Sequence, residues 1–457
     1  MHRFLRTALA LTAVLSLAGC AADQGEEDAN DGASAFTGSP QADIGQFFMI
    51  EHYGVVGNGF ADVHSMVKNK HLGALILWNP ENAAGTVARQ MATSYAASAK
   101  AGGTSELFIA ADQEEKGTQR FKSRHGFTDL VPGNALGAAV AKHGDAKVCD
   151  LHARITSREM ASAGLNMTLG TVSDVYTKDS GTPGMFRSRA ISSDANIITE
   201  CVEAMTGAYG EEGHVVFITK HFPGLGNASG NTDVDPKVKT YSTTKEKIEN
   251  ELSPYRTATA SVNQQGTSSF FGAMISHASY PILDASNTPA TLSEPILNEL
   301  LRSAPAKQLS NGVDKSNAKV SVAGMGLQGL TVSDAFWTWG AVKGLSATQR
   351  NRLMARSFLA GMDILMISKA DFNGGWDYFQ NVYAGTLPAA EQAALVSEAG
   401  EPSFAALQTK FKARVTESAK RIKTAKDKVG PVASFAGRGE PREASKEYQS
   451  EYARLTQ

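Results

Sequence analysis

A chain of 457 residues, 42% hydrophobic and 20% charged, is long enough to bury one large core and is neither a disordered nor a fibrous composition. Its formal net charge of -2 supplies no general attraction to nucleic acid or to an acidic substrate.

At the start, Arg3 and Arg6 precede the apolar stretch Ala8 to Leu17, which is too short to span a bilayer and is followed by Ala18 and Gly19. Residues 1–19 therefore read as a secretory signal. Leu17-Ala18-Gly19-Cys20 resembles the bacterial lipobox, which implies cleavage before Cys20, lipid on its sulfur, and an exported protein anchored to the membrane of a bacterial cell envelope. With no aspartate in Ala21-Ala22, the pattern resembles outer-membrane sorting in Gram-negative organisms. Residues 20–40, rich in small and acidic side chains, read as the lipidated cysteine and a flexible tether.

Eight short apolar runs then follow: Gly45 to Ile50, Leu72 to Trp78, Glu106 to Ala111, Gly164 to Leu169, His214 to Thr219, Phe271 to Ser276, Gly329 to Ser333 and Met362 to Ile367. Near-continuous apolar strands imply burial on both faces and hence a parallel sheet. Helical stretches alternate with them at Ala84 to Lys100, Asp145 to Ala163, Ala195 to Tyr209, Lys245 to Asn263 and Ser346 to Ala360. The alternation predicts an α/β fold, a single-domain (β/α)8 TIM-type barrel over residues 41–431 with C-terminal helices, and a polar, partly disordered tail over 432–457. An open doubly wound sheet is the alternative. Several runs end in a residue capable of chemistry: Asp112, the Lys220/His221 pair, His277 and Asp334, with Asp174 a few residues past its run. In a barrel such residues share one face, and Lys220 to Gly224, two cationic side chains before a Pro-Gly turn, suit a polar ligand.

Cys149 and Cys201 fall in predicted helices, and a disulfide and two buried free thiols are both open. No His/Cys group has metal-ligand spacing, so neither metal nor other cofactor is expected. Gly324-Met325-Gly326-Leu327-Gln328-Gly329 matches the dinucleotide-binding pattern by letter but precedes a strand instead of following one, which excludes that reading. The basic stretch Lys410 to Lys428 has helical charge spacing and reads as a solvated face beside the barrel, not a nucleic-acid surface.

Asp112-Gln113-Glu114 with Gln119-Arg120-Phe121, Lys220-His221-Phe222-Pro223-Gly224, Ser276-His277 with Pro289-Ala290-Thr291-Leu292-Ser293, and Val332-Ser333-Asp334 occur in one order. Together they resemble glycoside hydrolase family 3, in its single-domain β-N-acetylglucosaminidase branch, over roughly residues 42 to 370. The resemblance implies that Asp334 is the nucleophile of a retaining glycosidase, forming a covalent glycosyl-enzyme. It also implies that Asp112, Arg120, Arg189, Lys220 and His221 meet the non-reducing sugar, that His277 either meets it or packs behind the residues that do, and that Asp174 organises a loop. Charged, bidentate partners in a closed pocket suit the many hydroxyls of a sugar.

The chain departs from the family where an Asp-x-His dyad usually supplies the general acid and base: here the position reads Asp235-Pro236-Lys237, and no histidine lies between His221 and His277. Lysine, with an ordinary pKa of about 10.4, is a poor substitute at neutral pH. Glu115-Lys116 also replaces the family's Gly-Gly. The expected function is an exo-acting retaining β-glycosidase, releasing N-acetylglucosamine or a related sugar from a cell-wall or other glycan. Its atypical proton donor is drawn from Asp233, Asp235 and Glu115, with Lys237 at the histidine's place. A catalytically impaired glycan-binding surface lipoprotein is the alternative, and transfer to phosphate or another sugar the third reading.

Overall fold

The computed structural model describes residues 36, 38–53, 60–79, 84–114, 118–176, 186–240, 242–435 and 440–457; Cys20, Glu115 and Lys116 lie outside them. Eight parallel strands form one sheet: β1 (Phe48–Tyr53), β2 (Ala74–Asn79), β3 (Phe108–Ala111), β4 (Met167–Val172), β5 (Val216–Phe222), β6 (Phe271–Ile275), β9 (Leu330–Ser333) and β10 (Leu365–Ile367). They are ordered β10-β1-β2-β3-β4-β5-β6-β9, and a parallel bridge between Val332 and Ile364 joins the two ends. Every expected apolar run supplies one strand, and the closure makes the sheet a (β/α)8 barrel. The strands β3, β4, β5, β6, β9 and β10 are buried at each residue, because helices cover one side and opposing strands fill the other.

Two further strands, β7 (Gln308–Val313) and β8 (Lys319–Ala323), pair antiparallel as a hairpin outside the barrel. Half of β7 is exposed and β8 is buried only at alternate residues, so no apolar run announced the hairpin. The expected helices are present as Gly85–Ala101, Lys147–Ser162, Ala195–Glu212, Lys245–Gln265 and Ala347–Ala360.

Much of the C-terminal segment is helical where a polar, partly disordered tail was expected. Helices Pro441–Ala444 and Lys446–Leu455 lie on the helix Lys147–Ser162, with Tyr452 and Leu455 buried. The Tyr452 hydroxyl meets His152 Nδ1 at 3.1 Å, and Ser445 Oγ donates to Glu159 at 2.5 Å. Tyr448, Tyr452 and Leu455 recur at four and three residues, an apolar stripe too narrow to stand out in so polar a segment.

The long helix Phe404–Val429 crosses the opposite end of the barrel from the strand C-termini. It is not wholly a solvated face. Arg414 and Arg421 converge with Arg302 on fully buried Asp363, at 3.4, 2.8 and 2.5 Å. Lys426 Nζ donates to Gln46 Oε1 (2.6 Å) and the Gly73 carbonyl (2.9 Å), just ahead of β1 and β2. Burial pushes this lysine down to about 7.

A disulfide joins Cys149 and Cys201 across the packed helices Lys147–Ser162 and Ala195–Glu212. With the cysteines 52 positions apart, loop-closure entropy in the unfolded chain predicts that Cys149→Ala/Cys201→Ala loses about 4 kcal/mol, read as a lower midpoint in denaturant. An unchanged midpoint would show that the bridge contributes nothing to stability.

Candidate active site

The C-terminal strand ends converge on one face, and the chemistry-bearing residues follow them there. Asp112 comes directly after β3, Lys220 and His221 lie at the C-terminal end of β5, and Asp334 follows β9. A cavity of about 300 Å³ opens among them, lined by Asp112, Arg120, Arg189, Lys220, His221 and Asp334, and also by Trp78, Glu114 and Asp233.

One wall is a chain of alternating charges. Buried Lys220 reaches Asp112 (2.8 Å), Glu114 (2.5 Å) and the Leu169 carbonyl (2.6 Å). Burial alone would lower its pKa, but Asp112 and Glu114 raise it above the ordinary value, so it stays cationic. Arg189 grips Glu114 with two parallel bonds of 2.8 Å. Burial alone would raise the Glu114 carboxyl, yet Arg189 and Lys220 hold it well below the usual range. Arg120 donates to Asp112 at 3.2 Å and lies over the Trp78 ring, 4.9 Å from its centroid. The wall thus keeps Glu114 ionised and its donors oriented before any ligand arrives.

The opposite group centres on Asp334, whose side chain is 21% exposed on the cavity wall. Its Oδ1 accepts the Ala335 amide at 2.7 Å, and its Oδ2 lies 4.0 Å from His221 Nε2. Burial would raise this carboxyl, but the imidazoles of His221 and His277, the Ala335 amide and Lys220 bring it below its ordinary value. It is an anion at neutral pH. Fully buried Asp174 organises the neighbourhood: Oδ2 meets His221 Nδ1 at 2.8 Å, while Oδ1 accepts the amides of His221 (3.1 Å) and Leu225 (2.6 Å).

Three expected site residues are absent from the cavity wall. His277 is buried behind it, bonded through Nδ1 to Thr291 Oγ1 (2.8 Å) and stacked on Trp339 at 4.3 Å. Burial pushes it down to about 4, so it packs as a neutral ring. Asp235 and Lys237, at the dyad position, are both exposed and outside the lining, and the Asp235 carboxylate accepts the Lys237 amide at 2.8 Å to close its own turn. Asp233, two residues earlier, does line the cavity.

Sequence reasoning gave no role to Glu114 or Trp78. Glu114 had a signal, since in Asp112-Gln113-Glu114 alternate residues leave the strand on one side, while Gln113 turns away to the Phe121 carbonyl. Among the described residues, no group of three His, Cys, Asp or Glu side chains could hold a metal ion, and no helix is long and apolar enough to cross a membrane.

Residues 41–395 match the family model described as the glycosyl hydrolase family 3 N terminal domain. Among solved structures, the chain is similar to a glycoside hydrolase family 3 β-N-acetylglucosaminidase from Paenibacillus sp. str. FPU-7, with a TM-score of 0.68 and 20% identity over 91% of this chain and 68% of that one. It is also similar to a β-N-acetylhexosaminidase from Beutenbergia cavernae DSM 12333, with a TM-score of 0.65 and 21% identity over 85% of this chain and 98% of that one. A third similar structure is M tuberculosis LpqI, with a TM-score of 0.62 and 22% identity over 86% and 94%. At these identities the likeness carries the fold alone. A comparison with curated proteins gives no match.

Proposed function

This chain belongs to glycosyl hydrolase family 3, and from that premise we propose that it is an exo-acting, retaining β-glycosidase working on the non-reducing end of a glycan. The observation that carries this reading is a single cavity that gathers a partly exposed, ionised Asp334 with the charged wall of Asp112, Glu114, Arg120, Arg189 and Lys220. N-acetylglucosamine or a close relative is the proposed sugar, supported by the names borne by two of the similar structures.

In the first step the Asp334 carboxylate attacks the anomeric carbon and a C–O bond forms to it. The glycosidic C–O bond breaks with its electron pair on the leaving oxygen, which takes a proton from Asp233. Water then attacks the same carbon, gives its proton to Asp233, and frees Asp334 with net retention. Asp233 is proposed because, of the two loop aspartates, it is the one that lines the cavity.

Asp233→Ala is expected to slow hydrolysis of unactivated β-glycosides by about 10²- to 10⁴-fold, since that is the usual worth of a positioned acid. Loss on 4-nitrophenyl glycosides, whose leaving group needs little protonation, is expected to be smaller in the first step. Equal losses on both substrates would sink the assignment.

A second reading, a glycan-binding protein with impaired catalysis, is favoured by the exposed position of Asp235 and Lys237. Calorimetric sugar binding without turnover of any activated β-glycoside would select it. In either case we propose, from Leu17-Ala18-Gly19-Cys20, that the protein is lipid-anchored at Cys20 in a bacterial cell envelope; metabolic labelling with a fatty acid, lost in Cys20→Ala, tests it.

A further inference from the structure

The loop that brings Asp233 to the cavity leaves β5 at Phe222 and enters the helix Lys245–Gln265. Beneath it sits Glu251, 1% exposed, on the second turn of that helix. One oxygen, Oε1, accepts both the Asn227 amide (2.5 Å), where the loop begins, and the Ser242 hydroxyl, where it ends. The two donors are fifteen residues apart in sequence, and the cavity-lining residues Gly230, Asn231, Thr232 and Asp233 lie between them.

The other oxygen, Oε2, is buried with no hydrogen-bond partner among the described residues. It presses on Gly224, whose φ of +148° and lack of a side chain make room: a Cβ there would stand 2.6 Å from Oε2. Above this point, Ser229 and Lys239 pair across the loop, with the Ser229 amide 2.7 Å from the Lys239 carbonyl. At the tip, the Gly340 amide holds the Thr232 carbonyl (2.8 Å) and Lys343 Nζ holds the Asp233 carbonyl (2.6 Å). Glu251 is the one side chain in this set that bonds both ends of the loop at once.

We propose that Glu251 is a positioning residue that clamps the base of the 225–240 loop and so fixes where Asp233 meets the substrate. The inference rests on the reading of Asp233 as the acid and base. The charged and titratable groups around the clamp are Asp174 from the end of β4, Tyr280 after β6, whose hydroxyl donates to the Gly224 carbonyl at 2.9 Å, and Tyr255 and Lys247 on its own helix. Both tyrosines are buried and held far above their ordinary value, so they remain neutral.

Burial, offset by the Ser242 and Asn227 donors and reinforced by Asp174, pushes the Glu251 carboxyl up to about 8 from 4.5. A folded pKa above the unfolded one gives stability that is complete below pH 4.5 and lost as pH rises through about 8. Ionisation there would bury a second anion near Asp174, and the cheapest relief is for the loop base to part. The clamp therefore holds at neutral pH and loosens on the alkaline side.

Two variants and two readouts test it. Glu251→Ala is expected to lower kcat on unactivated β-glycosides by up to about 10²-fold, the cost of misplacing a catalytic group by about 1 Å, with less effect on 4-nitrophenyl glycosides. Glu251→Gln, which keeps the shape and an acceptor, is expected to restore the wild-type ratio of the two activities. Limited proteolysis within residues 225–240 is expected to accelerate in wild type between pH 7 and pH 9 and to stay flat in Glu251→Gln cut by the same protease. A Glu251→Gln loop that opens with pH as wild type does, or a Glu251→Ala ratio equal to wild type, overturns the clamp. If no β-glycoside is turned over at all, the reading of Asp233 fails, and the proteolysis still decides whether Glu251 holds the loop.

Discussion

Asp334→Ala is expected to abolish turnover of 4-nitrophenyl β-glycosides, by roughly 10⁴-fold or more, while leaving the fold intact. Activated substrates make the result sharp because they need little acid help, so what disappears is the nucleophile alone. The carboxyl is partly exposed and, among the described residues, its one hydrogen bond at ordinary length is to the amide of buried Ala335, so its removal strands one neutral donor and no buried ion. Circular dichroism and the melting temperature should therefore stay close to wild type. Added azide should enter from the face vacated by the carboxylate, displace the leaving group once, and give the α-glycosyl azide, whereas the wild-type double displacement gives the β-configured sugar. Full hydrolysis by Asp334→Ala, or a β-configured azide from it, would show that another group attacks the sugar.

Lys220→Met is expected to produce the largest loss of stability from a single substitution in the site, about 3–5 kcal/mol, because it leaves Asp112 and Glu114 facing each other in the buried wall with one cation fewer. Glu114 retains Arg189, and Asp112 retains only the longer contact with Arg120. Adding Asp112→Asn should recover part of the loss by removing the stranded anion, a positive coupling measured in a double-mutant cycle of urea midpoints. Strict additivity of the two substitutions would mean that the charges are screened from each other and that the wall is not a network. Sugar binding should fall in the single and the double variant alike, since the oriented ammonium is missing from both.

The barrel was legible because its strands are buried on both faces, which writes them as uninterrupted apolar runs, while the hairpin β7–β8 alternates and vanished into polar sequence. Strand-end charges such as Asp112, Lys220 and Asp334 were legible for a related reason, since few other demands put a charged residue at the end of a buried strand. Direction was not. His277 leaves β6 much as His221 ends β5, yet the ring of Trp339, 62 residues later, takes it away from the cavity. The loop after β5 was the least readable part: the carbonyl of Asp233 is held by Lys343, 110 residues distant, and the loop base by Glu251, 24 residues from Asn227 and 9 from Ser242, contacts that no local pattern announces. That Asp233 lines the cavity and Asp235 does not was therefore visible only in the tertiary structure.

The bond from Lys426 to Gln46 joins residues 380 apart, across the end of the barrel away from the active site. During synthesis at about 5–20 residues per second, roughly 20 to 75 s separate the emergence of Gln46 from that of its partner. Over that interval the first strand has no lysine to satisfy the side chain ahead of it, and Asp363 emerges before either Arg414 or Arg421. A nascent chain that ends just before the long C-terminal helix thus has all its barrel strands but lacks Lys426 for Gln46 and, of the three arginines on Asp363, holds only Arg302.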